Sequence, residues 1–266
     1  MTSSLPAGRR RLATVLRAAG DVISVDDAAR ALDVDRSRAA KTLARWTVQG
    51  WLRRVAHGSY VPAALDTLES EHVLEDPWVL VPALFSPAYI GGRTAAEHWD
   101  LTEQVFNDIC VLTARPLRAR SQKHHGIVFS LKHVAEKKIF GTKPVWRAHT
   151  KVSVSDVHRT IIDMLDDPEI GGGIRQVADC LASYLRRKDR DDGQLIAHAD
   201  RLGNGAVFKR LGFLTDQNPA AAGLVDACRA RLTKGNAKLD PALDCPRLAS
   251  QWRLWIPRAW SASPRE

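Results

Sequence analysis

The chain has few cysteines, and their spacing does not suit a metal site. Cys110, Cys180, Cys228 and Cys245 lie far apart and form neither a Cys-x-x-Cys pair nor a Cys/His pair. This spacing argues against zinc, and reduced thiols are the default for such a chain. The sequence also lacks an apolar run long enough to span a membrane, and its start lacks the apolar segment of a signal peptide. We therefore expect a soluble cytoplasmic protein with no membrane partner.

The usual catalytic motifs are absent as well. No glycine-rich phosphate loop and no Gly-x-Ser-x-Gly turn is present, since Gly171-Gly172-Gly173 is not followed by the Lys-Ser/Thr that a phosphate loop requires. His98, His133, His149 and His158 show no metal-ligand spacing. These absences predict a protein that is not an enzyme, with no catalytic residue, no metal and no cofactor.

Positive charge is abundant and unevenly distributed. The 39 Lys/Arg and 30 Asp/Glu residues give a net charge of +9 and a pI near 9.7. Residues 1–62 alone hold eleven Lys/Arg against five Asp/Glu, which is 11 − 5 = +6. Because a concentrated positive charge favours a polyanionic partner, the first quarter of the chain is the predicted nucleic-acid-binding region.

The same region has the pattern of a helix-turn-helix. Ser24-Val25-Asp26-Asp27 resembles a capping box, and a short turn at 33–35 separates the helix that follows from a second helix over about 36–49. At about 100° per residue, the second helix has an apolar side with Leu43 and Trp46 and an opposite basic side. A helix with one apolar face and one basic face is what a DNA-recognition helix requires.

A β-hairpin is predicted directly after this helix. Gly50 ends the helix, Gly58 permits a tight turn, and Tyr60 and Val61 favour a strand. Together these elements predict a winged helix-turn-helix that binds double-stranded DNA, with an arginine-rich run free to extend along the backbone before the first helix. The residues predicted to contact DNA are Arg9, Arg10, Arg11, Arg36, Ser37, Arg38, Lys41, Thr42, Arg45, Arg53, Arg54, His57 and Ser59.

The predicted fold class is α+β, with this winged helix-turn-helix followed by a larger mixed domain that has a small β-sheet and C-terminal helices. Residues 1–62 form the DNA-binding domain, and an acidic, separable helix over 63–76 is the connector. Residues 77–266 form the second domain, which is sheet-rich to about 154 and helical afterwards. Apolar runs at 108–113 and 127–131 predict buried strands, 145–148 and 152–154 predict edge strands, and Ser155 is the predicted cap of the next helix.

The order of these segments resembles the AbiEi-type antitoxins of type IV toxin–antitoxin systems. The resemblance rests on the stretches 54–62 (RVAHGSYVP), 89–102 (YIGGRTAAEHWDLT), 152–163 (VSVSDVHRTIID) and 208–214 (FKRLGFL). It implies a winged helix that binds inverted repeats in the protein's own promoter and represses the operon. It also implies a C-terminal antitoxin domain that counteracts a nucleotidyltransferase-like toxin, and a nucleoid-associated location.

Two other functions fit parts of the sequence. One is a plain winged-helix repressor without a toxin partner. The other is a metal-dependent nuclease, because Glu136-Lys137-Lys138 has the acid-x-Lys spacing of such enzymes and Asp108 adjoins an apolar strand. Nuclease chemistry requires clustered carboxylates, whereas Asp163, Asp166, Asp167 and Glu169 are expected to be a solvated helix end. Binding to an inverted repeat by two monomers or by a preformed dimer is equally compatible with the sequence.

Overall fold

The computed structural model describes residues 6–63, 76–147 and 149–260, and it is a mixed α+β structure with several small sheets. The first part contains three helices and a three-stranded sheet of order β1-β3-β2. Its elements are α1 (Ala7–Ala18), β1 (Ile23–Ser24), α2 (Val25–Leu32), α3 (Arg36–Val48), β2 (Leu52–Ala56) and β3 (Ser59–Pro62).

Local signals set the ends of these helices. The Ser24 side chain accepts a hydrogen bond from the Asp27 amide, while Asp27 accepts one from the Ser24 amide, so the predicted capping box is present. Asp33, with φ of 51°, ends α2, and Asp35 caps α3 by accepting from the Arg38 amide. Gly58, with φ of 74°, forms the hairpin turn, which confirms the predicted hairpin.

The predicted N-terminal arm is wrong. Arg9, Arg10 and Arg11 lie inside α1, which begins at Ala7 after Pro6. Arginine is a good helix former, and proline is tolerated at a helix start, so the run extends the helix instead of preceding it. All three side chains are exposed on the surface of this helix.

A six-stranded mixed sheet forms the middle of the chain, with order β6-β7-β5-β4-β9-β8. The strands are β4 (Ala88–Ile90), β5 (Asp108–Thr113), β6 (Ser121–His124), β7 (Ile127–His133), β8 (Thr142–Arg147) and β9 (Thr150–Ser155), and the helices beside them are α4 (Leu80–Phe85) and α5 (Gly92–His98). The strands predicted at 108–113 and 127–131 are therefore confirmed; the first is almost wholly buried as predicted, whereas in the second Phe129 and Leu131 are the buried residues. The segment predicted as an edge strand at 152–154 is instead internal, because β9 pairs with β4 on one side and β8 on the other.

The last part of the described chain is a helical cluster closed by a small sheet of order β10-β12-β11. The first helix is capped by Asp156, whose carboxylate accepts the Arg159 amide, and not by Ser155 as predicted. Trp252 is buried against Gly212, where there is no room for a Cβ atom. The elements are α6 (Val157–Asp166), α7 (Ile174–Leu185), α8 (Asp192–Leu202), α9 (Gly205–Thr215), α10 (Ala222–Arg229), β10 (Ala237–Lys238), β11 (Arg247–Ala249) and β12 (Leu254–Ile256).

The hairpin β2–β3 joins the first part of the chain to the central sheet. Tyr60 packs into the core formed by α1, α2 and α3, whereas Val55 and Val61 pack with Leu80 and Phe85 of the central core. Asp21 adds a polar link, because its carboxylate accepts hydrogen bonds from the His149 amide and the Thr150 hydroxyl (3.0 and 2.9 Å). The two parts thus share apolar core at the hairpin. Most of the predicted connector helix, residues 64–75, lies outside the described residues.

Candidate nucleic-acid interface

Helix α3 has one buried face and one charged face. Ala39, Leu43 and Trp46 are fully or almost fully buried in the core of the first part of the chain. Their positions fall within an arc of about 60° on the helix, and the opposite arc carries Lys41 and Arg45. The amphipathic pattern predicted for this helix is therefore present in the structure.

Thr42 does not belong to the charged face, contrary to prediction. Its side chain is at the edge of the buried arc and is only 9% exposed. The hydroxyl donates to the Arg38 carbonyl at 2.8 Å, the common i−4 bond of threonine in a helix. Thr42 therefore supports α3 and is not available to DNA in this conformation.

The exposed cations of α3 differ in how far they are neutralised. Arg36 pairs with Asp26 of α2 at 2.8 Å, and Arg38 lies 3.5 Å from Asp35, the cap of its own helix. Within the described parts of the chain, Lys41 and Arg45 have no hydrogen bond or ion pair from their side chains. These two side chains are thus the cations of α3 that are fully available to an anionic partner.

Two apolar residues on the same exposed arc were not predicted as site residues. Ala44 is exposed, and Val48 is 89% exposed at the end of α3. Ser37, which was predicted, shares this arc and is also exposed. Small apolar side chains on a recognition helix can contact thymine methyl groups. The helical spacing 37, 41, 44, 48 puts these positions on one side of α3, which the charge pattern alone does not indicate.

The hairpin residues are less accessible than predicted. Arg53 is half-buried beside His125 of the central sheet, and Ser59 is half-buried opposite Ser24. Arg54 and His57 are exposed. One face of the hairpin is covered by the helices and the other by the central sheet, so only its edge and its tip can reach a partner.

The carboxylates suggested for a nuclease are not assembled into a metal site. Asp108 is bound by Arg93, whose Nε donates to Oδ1 at 3.0 Å and whose Nη2 also contacts Oδ2. Glu136 lies in a short 3-10 turn outside the sheet, and no residue of this turn is buried. Across the described residues, no group of three or more His, Cys, Asp or Glu side chains is placed to hold a metal ion.

The acidic run at the end of α6 differs in most of its members from the predicted solvated helix end, because Glu169 is the only one of its four carboxylates that is exposed. Asp163 is 2% exposed and pairs with Arg159 at 2.9 Å, while Asp166 and Asp167 contact Lys132 at 2.7 and 3.2 Å. Burial raises the pKa of Asp163, and the neighbouring Arg159 offsets only part of this effect. These carboxylates therefore neutralise buried cations and bind the central sheet to the helices.

Acid should weaken the ion pairs that Asp108 forms with Arg93 and Asp166 forms with Lys132. Burial alone would raise the pKa of Asp108 and Asp166, but Arg93 and Lys132 outweigh it and hold both pKa values below the usual 3.8. Their contribution to stability is therefore complete at neutral pH, begins to fall as pH approaches the usual 3.8, and is lost progressively below it, because the unfolded chain binds protons first. We expect urea denaturation between pH 7 and pH 3 to show this loss, and Asp108→Asn to reduce it. Identical pH profiles for the two proteins would contradict the assignment.

Comparison with known proteins supports the fold class. No family model matches the chain, and no curated protein matches it. The chain is similar to the crystal structure of the RV2827C protein from Mycobacterium tuberculosis, with a TM-score of 0.61 and 15% sequence identity. The match covers 94% of this chain and 92% of that chain. At this identity the likeness concerns the fold alone, a mixed α+β arrangement. Among the described helices, none has the length and apolar character needed to cross a membrane.

Proposed function

We propose that the protein is a sequence-specific DNA-binding repressor whose first part is a winged helix-turn-helix. The order α1-β1-α2-α3-β2-β3 supports this proposal, because α3 directly precedes a β-hairpin, as the recognition helix of a winged helix-turn-helix does. The observation that carries the proposal is the exposed face of α3, where the side chains of Lys41 and Arg45 have no hydrogen bond or ion pair within the described residues, in a region with a charge of +6. The proposed partner is double-stranded DNA with inverted repeats in the protein's own promoter.

The proposed contacts divide into two kinds. Lys41 and Arg45, with Ser37, Ala44 and Val48 beside them, would enter the major groove and read base edges. The other exposed cations would contact phosphates, which position the protein without reading sequence. These are Arg9, Arg10 and Arg11 of α1, Arg36 and Arg38 at the start of α3, and Arg54 with His57 of the hairpin; Arg53, half-buried beside His125, has less access.

We further propose that the protein is an antitoxin without catalytic activity, acting in the cytoplasm on a nucleotidyltransferase-like toxin. This part rests on the AbiEi resemblance of the four sequence stretches named above. The engagement of Asp108 by Arg93 disfavours the nuclease alternative, because a magnesium site would need that carboxylate. A plain repressor remains the second candidate, since the α3 geometry serves it equally well.

One set of experiments with the full chain tests both parts. Fluorescence anisotropy should detect tighter binding to the protein's own upstream DNA than to an unrelated duplex of equal length, and a promoter reporter should be repressed. Co-expression should restore the growth of cells that express the neighbouring gene. Equal binding to both duplexes would contradict sequence-specific recognition. A neighbouring gene that does not inhibit growth would reject the antitoxin part and favour the plain repressor.

A further inference from the structure

A second basic surface lies on the central sheet, outside the proposed recognition helix. Between Ile109 and Ala135 the chain contains arginines, lysines and histidines but no acidic residue. The exposed arginines and lysines of this segment lie in the connection from β5 to β6 and in β6 itself, which is an edge strand of the sheet. They are Arg115, Arg118, Arg120 and Lys123.

This surface adjoins the hairpin of the first part of the chain. His125, in the turn between β6 and β7, lies against the backbone of Val55 and beside Arg53. Burial and the neighbouring charge of Arg53 lower the pKa of His125. β6 therefore ends beside β2 of the hairpin, and Lys123 is two residues from the contact.

At its other end the basic surface opens into a groove. Arg118 and Arg120 form part of the wall of a cavity of about 570 Å³, together with Arg93 and Lys132. Arg93 and Lys132 are engaged by Asp108 and by the Asp166–Asp167 pair. Arg120 has only a loose, exposed pair with Glu169 at 3.5 Å, and Arg118 has no hydrogen bond or ion pair within the described residues. The positive charge that is available to a partner is therefore concentrated on the outer rim of this cavity, at Arg118 and Arg120.

We propose that Arg118, Arg120 and Lys123 bind the phosphate backbone of DNA that flanks the sequence read by α3. The inference rests on the proposed function and extends the interface from the hairpin onto β6. At about 3.3 Å per residue, the path from His125 to Arg120 covers roughly 17 Å, close to five base pairs of duplex. Phosphate contacts suit three exposed cations along this edge, because each contact releases condensed counterions without requiring a particular base.

The test compares two duplexes with the full chain. The short duplex contains only the operator core that the protein protects from nuclease cleavage. The long duplex adds ten base pairs on each side of that core. For wild-type protein, the slope of log K against log salt should be steeper on the long duplex, by about 0.9 for each added phosphate contact. The triple variant Arg118→Gln/Arg120→Gln/Lys123→Gln should lose this added slope and leave binding to the short duplex unchanged.

A matched variant controls for the loss of three charges. Arg175→Gln/Arg186→Gln/Lys188→Gln removes two exposed arginines and one exposed lysine in and just after α7, and it should keep the added slope. The thermal midpoint of each variant verifies folding. An unchanged slope in the Arg118/Arg120/Lys123 variant would overturn the inference, as would an equal loss of binding on both duplexes. If wild-type protein bound neither duplex, the proposed function itself would fail.

Discussion

The double variant Lys41→Ala/Arg45→Ala is expected to lose specific binding to operator DNA while it remains folded. Both side chains lie on the exposed arc of α3 and make no hydrogen bond or ion pair within the described residues, so truncation removes no such bond from the fold. A lost bidentate base contact costs about 1–3 kcal/mol, and two such losses lower the affinity by about 30-fold or more. Anisotropy titrations on the upstream duplex, at fixed salt concentration, measure this change.

Two further variants test whether the effect is specific to the exposed face of α3. Arg38→Ala should have a smaller effect than Arg45→Ala, because Arg38 is partly neutralised by Asp35. Arg175→Ala removes an exposed arginine from α7 and should leave the affinity within about twofold of wild type, as expected for a charge outside the interface. A Lys41→Ala/Arg45→Ala protein with wild-type affinity and specificity would reject α3 as the recognition helix.

The elements around this face were predictable because their signals are local. The capping box at Ser24 and Asp27, the cap at Asp35 and the turn at Gly58 each depend on residues within a few positions in the sequence. The apolar period of α3 is equally local, and it placed Leu43 and Trp46 in the core. Local patterns therefore predicted where these helices and strands begin and end.

What the sequence did not reveal depends on contacts between distant segments. The hairpin was expected to present its residues to DNA, but Val55 and Val61 pack against residues of α4, and this partner leaves no trace in the periodicity of β2 or β3. Thr42 was assigned by charge pattern to the exposed face, although it lies at the boundary of the buried arc. Asp163 was expected at a solvated helix end, and no local pattern marks it or Arg159 as buried, because Tyr89, which contacts both side chains, is about 70 residues away.

That buried cluster is the basis of the largest expected effect on stability. Arg159 is 0% exposed, and its Nη2 contacts Asp163, the Tyr89 hydroxyl and the Lys138 carbonyl at 2.9, 3.1 and 3.2 Å. Its guanidinium carbon also lies 4.0 Å from the centre of the Phe140 ring. The cluster connects α6 to β4 and to the segment after β7, so it fixes the helical part of the chain to the central sheet.

Arg159→Met is expected to destabilise the protein by about 3–5 kcal/mol at pH 7, because it leaves the Asp163 carboxylate buried without its cation. Urea denaturation of the full chain measures the loss. The loss in free energy of unfolding should become smaller as pH is lowered toward 5. An unpaired buried carboxyl has a raised pKa, and the variant is more stable when this carboxyl is protonated. Arg159→Met/Asp163→Leu should recover much of the loss, because an apolar pair removes the buried charge. Among the described residues, Nε and Nη1 of Arg159 have no hydrogen-bond partner even in the wild type.

Arg201 provides a matched control for the ring contact. Its guanidinium carbon lies 4.1 Å from the centre of the same Phe140 ring, but the side chain is exposed and has no ion pair within the described residues. Arg201→Met should therefore cost no more than about 1 kcal/mol, the value of an exposed cation–π contact. If Arg159→Met destabilised the protein no more than Arg201→Met, apolar packing and not the buried ion pair would hold the helical part to the central sheet. A deficit that grew on acidification would likewise contradict a role for the unpaired Asp163 carboxylate.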